Sequence, residues 1–85
     1  MAIYLDNNAT TPVDPAVIET MLAALATDYG NPSSAHQFGA TAARHVRRGR
    51  EAVRALIGAA ATSEIVFTSG GSESNVTALE AAVAA

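Results

Sequence analysis

The sequence contains no cysteine, no lysine and no tryptophan, and these absences exclude several kinds of chemistry before any motif is considered. Without cysteine the chain forms no disulfide and supplies no thiolate. Without lysine it has no side-chain amine to bond a carbonyl group, and it cannot form a Walker A phosphate loop. Five arginines carry all the permanent positive side-chain charge, and the formal net charge is −3. This balance predicts no strong attraction to nucleic acid or anionic lipid.

Long apolar runs and targeting signals are also missing. No stretch of about 18 apolar residues is present, and the start lacks a charged region followed by an apolar one. We therefore expect a cytoplasmic protein. At 85 residues the chain has room for one domain at most, and alanine supplies much of its apolar fraction, with only two Phe and two Tyr as large side chains. These counts predict a thin core.

The first helix has a clear predicted start. Asp14 is a good N-cap residue, and Pro15 suits the first helical position because its missing N–H is not needed there. Apolar residues then follow at helical spacing and predict one buried stripe. They are Ile18, Met21, Leu22 and Leu25. We expect the helix to end before Gly30.

Two further helices are predicted. Ser34 and Gln37 have the spacing of a capping box that opens the second helix, and Gly58 would close it. Its five arginines are interpreted as a solvated face rather than a binding patch. A third helix should follow Gly71, because Val76, Leu79 and Val83 resume a helical rhythm.

A short strand is predicted at Ile65–Phe67, because a continuous apolar run is typical of a strand buried on both faces. Ile3–Leu5 could add a short extended segment. One strand and a three-residue segment cannot form a sheet with a neighbour on each side. The sequence also ends in an alanine-rich helix without a C-cap signal. We therefore expect the chain to stop in the middle of a fold.

The segment from Thr68 to Ser72 joins the predicted strand to the third helix. Glycines at 70 and 71 would let an anion approach backbone N–H groups at the helix start, where the helix dipole favours negative charge. Gly-Gly turns are common, however, and Glu73 adds a negative charge, so a phosphate site and a plain turn both remain open. His36 and His45 lie nine residues apart, which does not match a helical metal pair. A hydrogen-bonded structural role is expected for both.

Three segments resemble, in order and spacing, the NifS/IscS cysteine desulfurases of the class V aminotransferase family. They are Tyr4–Pro12 (YLDNNATTP), Tyr29–Gly39 (YGNPSSAHQFG) and Glu64–Ser74 (EIVFTSGGSES). The resemblance implies an α/β fold, as the amino-terminal part of a fold-type-I pyridoxal-phosphate transferase that is mostly helical with one short buried strand. It also implies that residues 1–14 form an arm joining a small domain, and that residues 15–85 begin a large cofactor-binding domain.

The resemblance further implies a homodimer that takes sulfur from L-cysteine, leaves L-alanine, and passes the sulfur as a persulfide to an iron–sulfur scaffold or another acceptor protein. Pyridoxal 5′-phosphate would be the cofactor, with its phosphate at Gly70, Gly71 and Ser72, where the family more often has Thr in place of Ser72. The loop of Asn8, Ala9 and Thr10 would lie near the substrate.

The residues that perform this family's chemistry are not matched by the sequence. The Schiff-base lysine and the persulfide-forming cysteine of the family lie beyond position 85, as do its ring-stacking histidine, its aspartate and its carboxylate-binding arginine. We therefore expect an amino-terminal segment that is inactive alone. The alternatives are another class V enzyme, such as an aminotransferase or a selenocysteine lyase, and a non-catalytic fragment that needs a partner chain. The DNNATT opening at residues 6–11 argues against the former.

Overall fold

A computed structural model describes all 85 residues, and its regular structure consists of helices alone. Three α-helices, α1 (Pro15–Ala26), α2 (Gln37–Ile57) and α3 (Gly71–Ala84), are joined by irregular segments, and a single 3₁₀ turn lies at Thr62–Glu64. No helix is long and apolar enough to cross a membrane. The chain divides into two compact units, residues 1–47 and 48–85.

The start of α1 confirms the prediction from sequence. Asp14 is the N-cap, its Oδ1 accepts a hydrogen bond of 2.9 Å from the Ala16 N–H, and Pro15 occupies the first helical position. The helix ends at Ala26, before Gly30. Its apolar stripe is not covered, since Ile18 is 43% exposed and Leu25 is 71% exposed. These residues form the predicted helix but do not form a core within this chain.

The start of α2 differs from the prediction. The helix begins at Gln37, so His36 rather than Ser34 is the cap residue, and the Nδ1 of His36 accepts a hydrogen bond of 3.2 Å from the Gly39 N–H. Asn31 accounts for the displacement. Its side-chain oxygen accepts from the Ser33 N–H and its carbonyl from the Ser34 N–H, which holds this segment in a turn.

The end of α2 is as predicted at Gly58, which has a φ of +72° and therefore adopts the left-handed conformation that closes many helices. Arg54 reinforces this end. Its guanidinium makes two hydrogen bonds to the Glu51 carboxylate, of 2.7 and 2.8 Å, and a third of 2.9 Å to the carbonyl of Ala59. Gly39 and Gly49 do not interrupt the helix.

The predicted strand is wrong. Neither Ile65–Phe67 nor Ile3–Leu5 forms a strand, although the backbone of Ile65 is extended, with φ −101° and ψ 120°. A strand requires a hydrogen-bonded neighbour, and no second extended segment pairs with this one. Only Ile65 of the apolar run is buried, whereas Val66 is 69% exposed and Phe67 is 50% exposed. The local sequence thus sets an extended conformation without a sheet.

Candidate functional site

The turn between Thr68 and Ser74 starts α3 and carries the predicted phosphate-binding residues. Gly70 is the N-cap and Gly71 the first helical residue, and the Ser74 N–H donates a 3.1 Å hydrogen bond to the Gly70 carbonyl. The first N–H groups of a helix have no acceptor within the helix. The backbone N–H groups of Gly71 and Ser72 are therefore available to an anion, and the helix dipole favours one there.

Open space surrounds the two glycines of the turn. A Cβ atom added at Gly70 or Gly71 would meet no other atom within 4 Å, and Ser72 is exposed. A ligand can therefore approach the backbone closely, and the Ser72 hydroxyl is accessible as a further donor. This donor set fits a phosphate group. The aldehyde of pyridoxal phosphate needs a different partner, a lysine amine, and the sequence has no lysine.

Hydroxyl groups hold the turn in shape. The Thr68 hydroxyl donates to the Gly70 carbonyl at 3.1 Å and lies 2.5 Å from the Ser74 hydroxyl. Since the proton of Thr68 is engaged at Gly70, the Ser74 hydroxyl is the donor in the second bond. These bonds join Thr68 to the start of α3, and they set the direction of the N–H groups of residues 70–72.

Glu73 is the one charged residue in the turn. Its carboxylate accepts hydrogen bonds from both the hydroxyl and the backbone N–H of Ser69, the latter at 3.0 Å. The bond from the Ser69 hydroxyl, followed by that from the Ser69 backbone, lowers the pKa of Glu73 below its ordinary value. The carboxylate therefore stays ionised, stabilises the helix start and opposes a second anion nearby.

Arg50 contacts the segment that leads into the turn, and sequence reasoning missed this residue. Its Nε donates a 3.3 Å hydrogen bond to the Ile65 carbonyl, and its guanidinium carbon lies 5.1 Å from the centre of the Phe67 ring. The sequence did carry a signal. Arg50 lies four residues after Val46 and three before Val53, which places it on the apolar stripe of α2 rather than on its wet side.

The loop with the predicted substrate-proximal residues is closed on itself. The Tyr4 hydroxyl is shared between the carbonyl oxygens of Thr10 and Asp6, at 2.7 and 3.0 Å. The Ala9 N–H donates to the Asp6 carbonyl at 3.0 Å. Asn8, Ala9 and Thr10 are exposed. The loop thus presents these residues at the surface of the first unit.

Both histidines have the structural roles that were expected. His36 caps α2, as described above, and the Nε2 of His45 lies 2.7 Å from the Oδ2 of Asp28. No group of three or more His, Cys, Asp or Glu side chains is placed to hold a metal ion.

Comparison with known proteins finds one matching family and a set of similar proteins that share one name. The Aminotransferase class-V family matches residues 3–85. A cysteine desulfurase of Rhodobacter capsulatus is 57% identical over 83 residues, which cover 98% of this chain and 22% of the relative. Those of Bradyrhizobium diazoefficiens (54% identical, 96% of this chain, 21% of the relative) and Trichormus azollae (55% identical, 98%, 20%) are similar.

The chain spans about a fifth of the length of these curated relatives. No solved structure gives a significant match. The match of the family to almost every residue, together with the three motifs in register, shows that this chain belongs to the class V aminotransferase family.

Proposed function

We propose that this chain is part of a pyridoxal-phosphate-dependent cysteine desulfurase and that its Gly70–Ser72 turn supplies part of the cofactor's phosphate site. The observation that carries the proposal is the open, donor-rich start of α3, which lies within one of the motifs resembling that family. The relatives named cysteine desulfurase support the reaction. In it, L-cysteine becomes L-alanine and the sulfur leaves as an enzyme persulfide for an acceptor such as an iron–sulfur scaffold.

Each residue of the turn has a defined task in this proposal. The N–H groups of Gly71 and Ser72 donate to phosphate oxygens, the Ser72 hydroxyl donates a further bond, and Gly70 leaves room for the phosphate to approach. The cofactor, when bound, supplies a pyridine ring that withdraws electrons from the substrate. The lysine and thiolate that the reaction needs are absent from these residues and must come from other parts of the protein.

The remaining parts of the proposal concern the whole protein. Residues 1–14 form an arm that joins the small domain and brings Asn8, Ala9 and Thr10 near the substrate, while residues 15–85 begin the large domain. The enzyme is a cytoplasmic homodimer. The exposed apolar stripes of α1 and α3 support the larger domain, because the rest of that domain would cover them.

A chimaeric enzyme provides the test. In it, this chain replaces the aligned 83 residues of the Rhodobacter capsulatus relative, which supplies the rest of the protein. We expect the chimaera to form alanine from L-cysteine and, with an added thiol that reduces the enzyme persulfide and is itself oxidised to a disulfide, to release the sulfur as sulfide. We expect Ser72→Ala to weaken the binding of pyridoxal phosphate about tenfold, the effect of losing one hydrogen bond to a charged group, and to leave the binding of pyridoxal unchanged.

Ser63→Ala is the matched control, because Ser63 is exposed in the 3₁₀ turn and outside the proposed site. It should bind both ligands as the parent chimaera does. A cofactor-loaded chimaera that transaminates substrates without releasing sulfide would contradict the desulfurase assignment. Equal weakening of both ligands by Ser72→Ala, or of neither, would contradict the phosphate site.

A further inference from the structure

We propose that Arg50 is a positioning residue for the phosphate turn, acting through the segment Ile65–Phe67. The inference rests on the proposed function, since it concerns how the turn at Gly70–Ser72 is held. Arg50 does not itself belong to the turn. Its guanidinium is engaged by the Ile65 carbonyl and the Phe67 ring, so it acts on the backbone that leads into the site.

The two contacts of Arg50 lie on either side of Val66. The 3.3 Å bond from Nε fixes the carbonyl of Ile65, and the guanidinium, 5.1 Å from the ring centre, is attracted to the face of Phe67. Because the guanidinium bonds to Ile65 and stacks on Phe67, it limits both the translation and the rotation of the segment. Arg50 therefore sets the position of Thr68, the residue that follows Phe67.

Few other contacts hold this segment. No strand pairs with it, and its backbone is otherwise tied by the 3.1 Å bond from the Ile65 N–H to the Thr62 carbonyl, within the same loop. Val66 and Phe67 are half or more exposed. The contacts from Arg50 are thus the polar link between this segment and α2.

Thr68 transmits this placement to the anion-binding groups. It follows Phe67 directly, and its hydroxyl bonds to Gly70 and Ser74 at the start of α3. A shift of Thr68 therefore changes the direction of the N–H groups of Gly71 and Ser72. Losing Arg50 should weaken phosphate binding although Arg50 touches no phosphate.

The experiment compares pyridoxal phosphate with pyridoxal in the chimaera, because the ratio of the two affinities isolates the phosphate contribution. Arg50→Ala should lower this ratio about fivefold to tenfold, from the loss of one charged hydrogen bond and one cation–π contact, with pyridoxal affinity unchanged. Arg50→Lys keeps a cation for the Phe67 ring but not the Nε donor, and should give an intermediate ratio. Arg48→Ala is the control, as Arg48 is exposed on the same helix.

The outcomes separate the inference from the function on which it rests. A parent chimaera that binds pyridoxal and its phosphate equally would overturn the phosphate site and this inference together. A parent that favours pyridoxal phosphate, with Arg50 variants keeping that preference, would overturn the inference alone. If Arg50→Ala fails to fold by circular dichroism, the ratio for Arg50→Lys decides, and an unchanged ratio there also contradicts the proposal.

Discussion

At the scale of single residues, Glu73 places a negative charge beside the proposed phosphate site. The carboxylate is turned back onto Ser69, where it accepts two hydrogen bonds and completes the start of α3. Its charge nonetheless lies in the first turn of α3, where it interacts favourably with the helix dipole. It therefore reduces the attraction of the helix start for another anion. The carboxylate orders the turn and would at the same time limit the affinity of the proposed site for phosphate.

The titration of Glu73 tests this account. The Ser69 contact lowers the pKa of Glu73 in the folded chain below its ordinary value. The contact therefore stabilises the fold fully above that ordinary value, and this stabilisation is lost as pH falls through the lower folded value. We expect Ser69→Ala to raise the pKa of Glu73 toward its ordinary value, because the hydroxyl bond is the larger cause. Carboxyl NMR resonances measure this pKa. An unchanged pKa in Ser69→Ala would contradict the contact, and Ser63→Ala serves as the control.

At the scale of elements, the sequence predicted best where local chemistry decides. Asp14 and Pro15 start α1 through a side-chain acceptor and a fixed backbone angle, both of which are properties of the residues themselves. The start of α2 was misplaced because His36 is not a usual cap residue and because Asn31 draws Ser34 into a turn. The strand at Ile65–Phe67 failed for a different reason, since its pairing depends on residues distant in sequence.

Substitution by alanine should have opposite effects on stability at two glycines of α2. A Cβ at Gly39 would overlap the carbonyl oxygen of Ser34 and lie 2.8 Å from that of Asn31, so Gly39→Ala should destabilise by about 2 kcal/mol. A Cβ at Gly49 would meet only the Phe67 ring, at 3.9 Å, and Gly49→Ala should stabilise by about 0.5 kcal/mol through helix propensity.

Thermal unfolding of the chimaera, followed by far-UV circular dichroism, compares the two glycine variants. The parent chimaera is the reference. A Gly39→Ala protein as stable as the parent would show that the Asn31–Ser34 turn does not pack against the start of α2 as described.

At the scale of the whole molecule, the chain has little interior. Ala42 and Ile65 are its only buried apolar side chains, whereas large apolar residues are exposed along α1 and α3. Three helices and the glycine turn at the start of α3 could be predicted from the sequence, and so could the family, because the motifs are local. The helical spacing places Arg50 on the apolar stripe of α2, but its partners Ile65 and Phe67 could not be predicted, since they depend on how α2 lies along the 65–67 segment.

The chemistry of the isolated chain follows from its composition. With its N-terminus acetylated, the chain has no amine to react with pyridoxal phosphate, and we expect no absorbance band near about 420 nm from a Schiff base. Under the proposed function the relative supplies the reactive lysine, so the chimaera should show the band. A stable band with the acetylated chain would contradict the assignment of carbonyl chemistry to other parts of the protein.

The crystal structure of the chimaera with pyridoxal phosphate tests the central claim most directly. We predict that phosphate oxygens lie about 2.7–3.2 Å from the backbone nitrogens of Gly71 and Ser72 and from the Ser72 hydroxyl. A cofactor phosphate bound elsewhere, with the Gly70–Ser72 turn making no contact to it, would contradict the account.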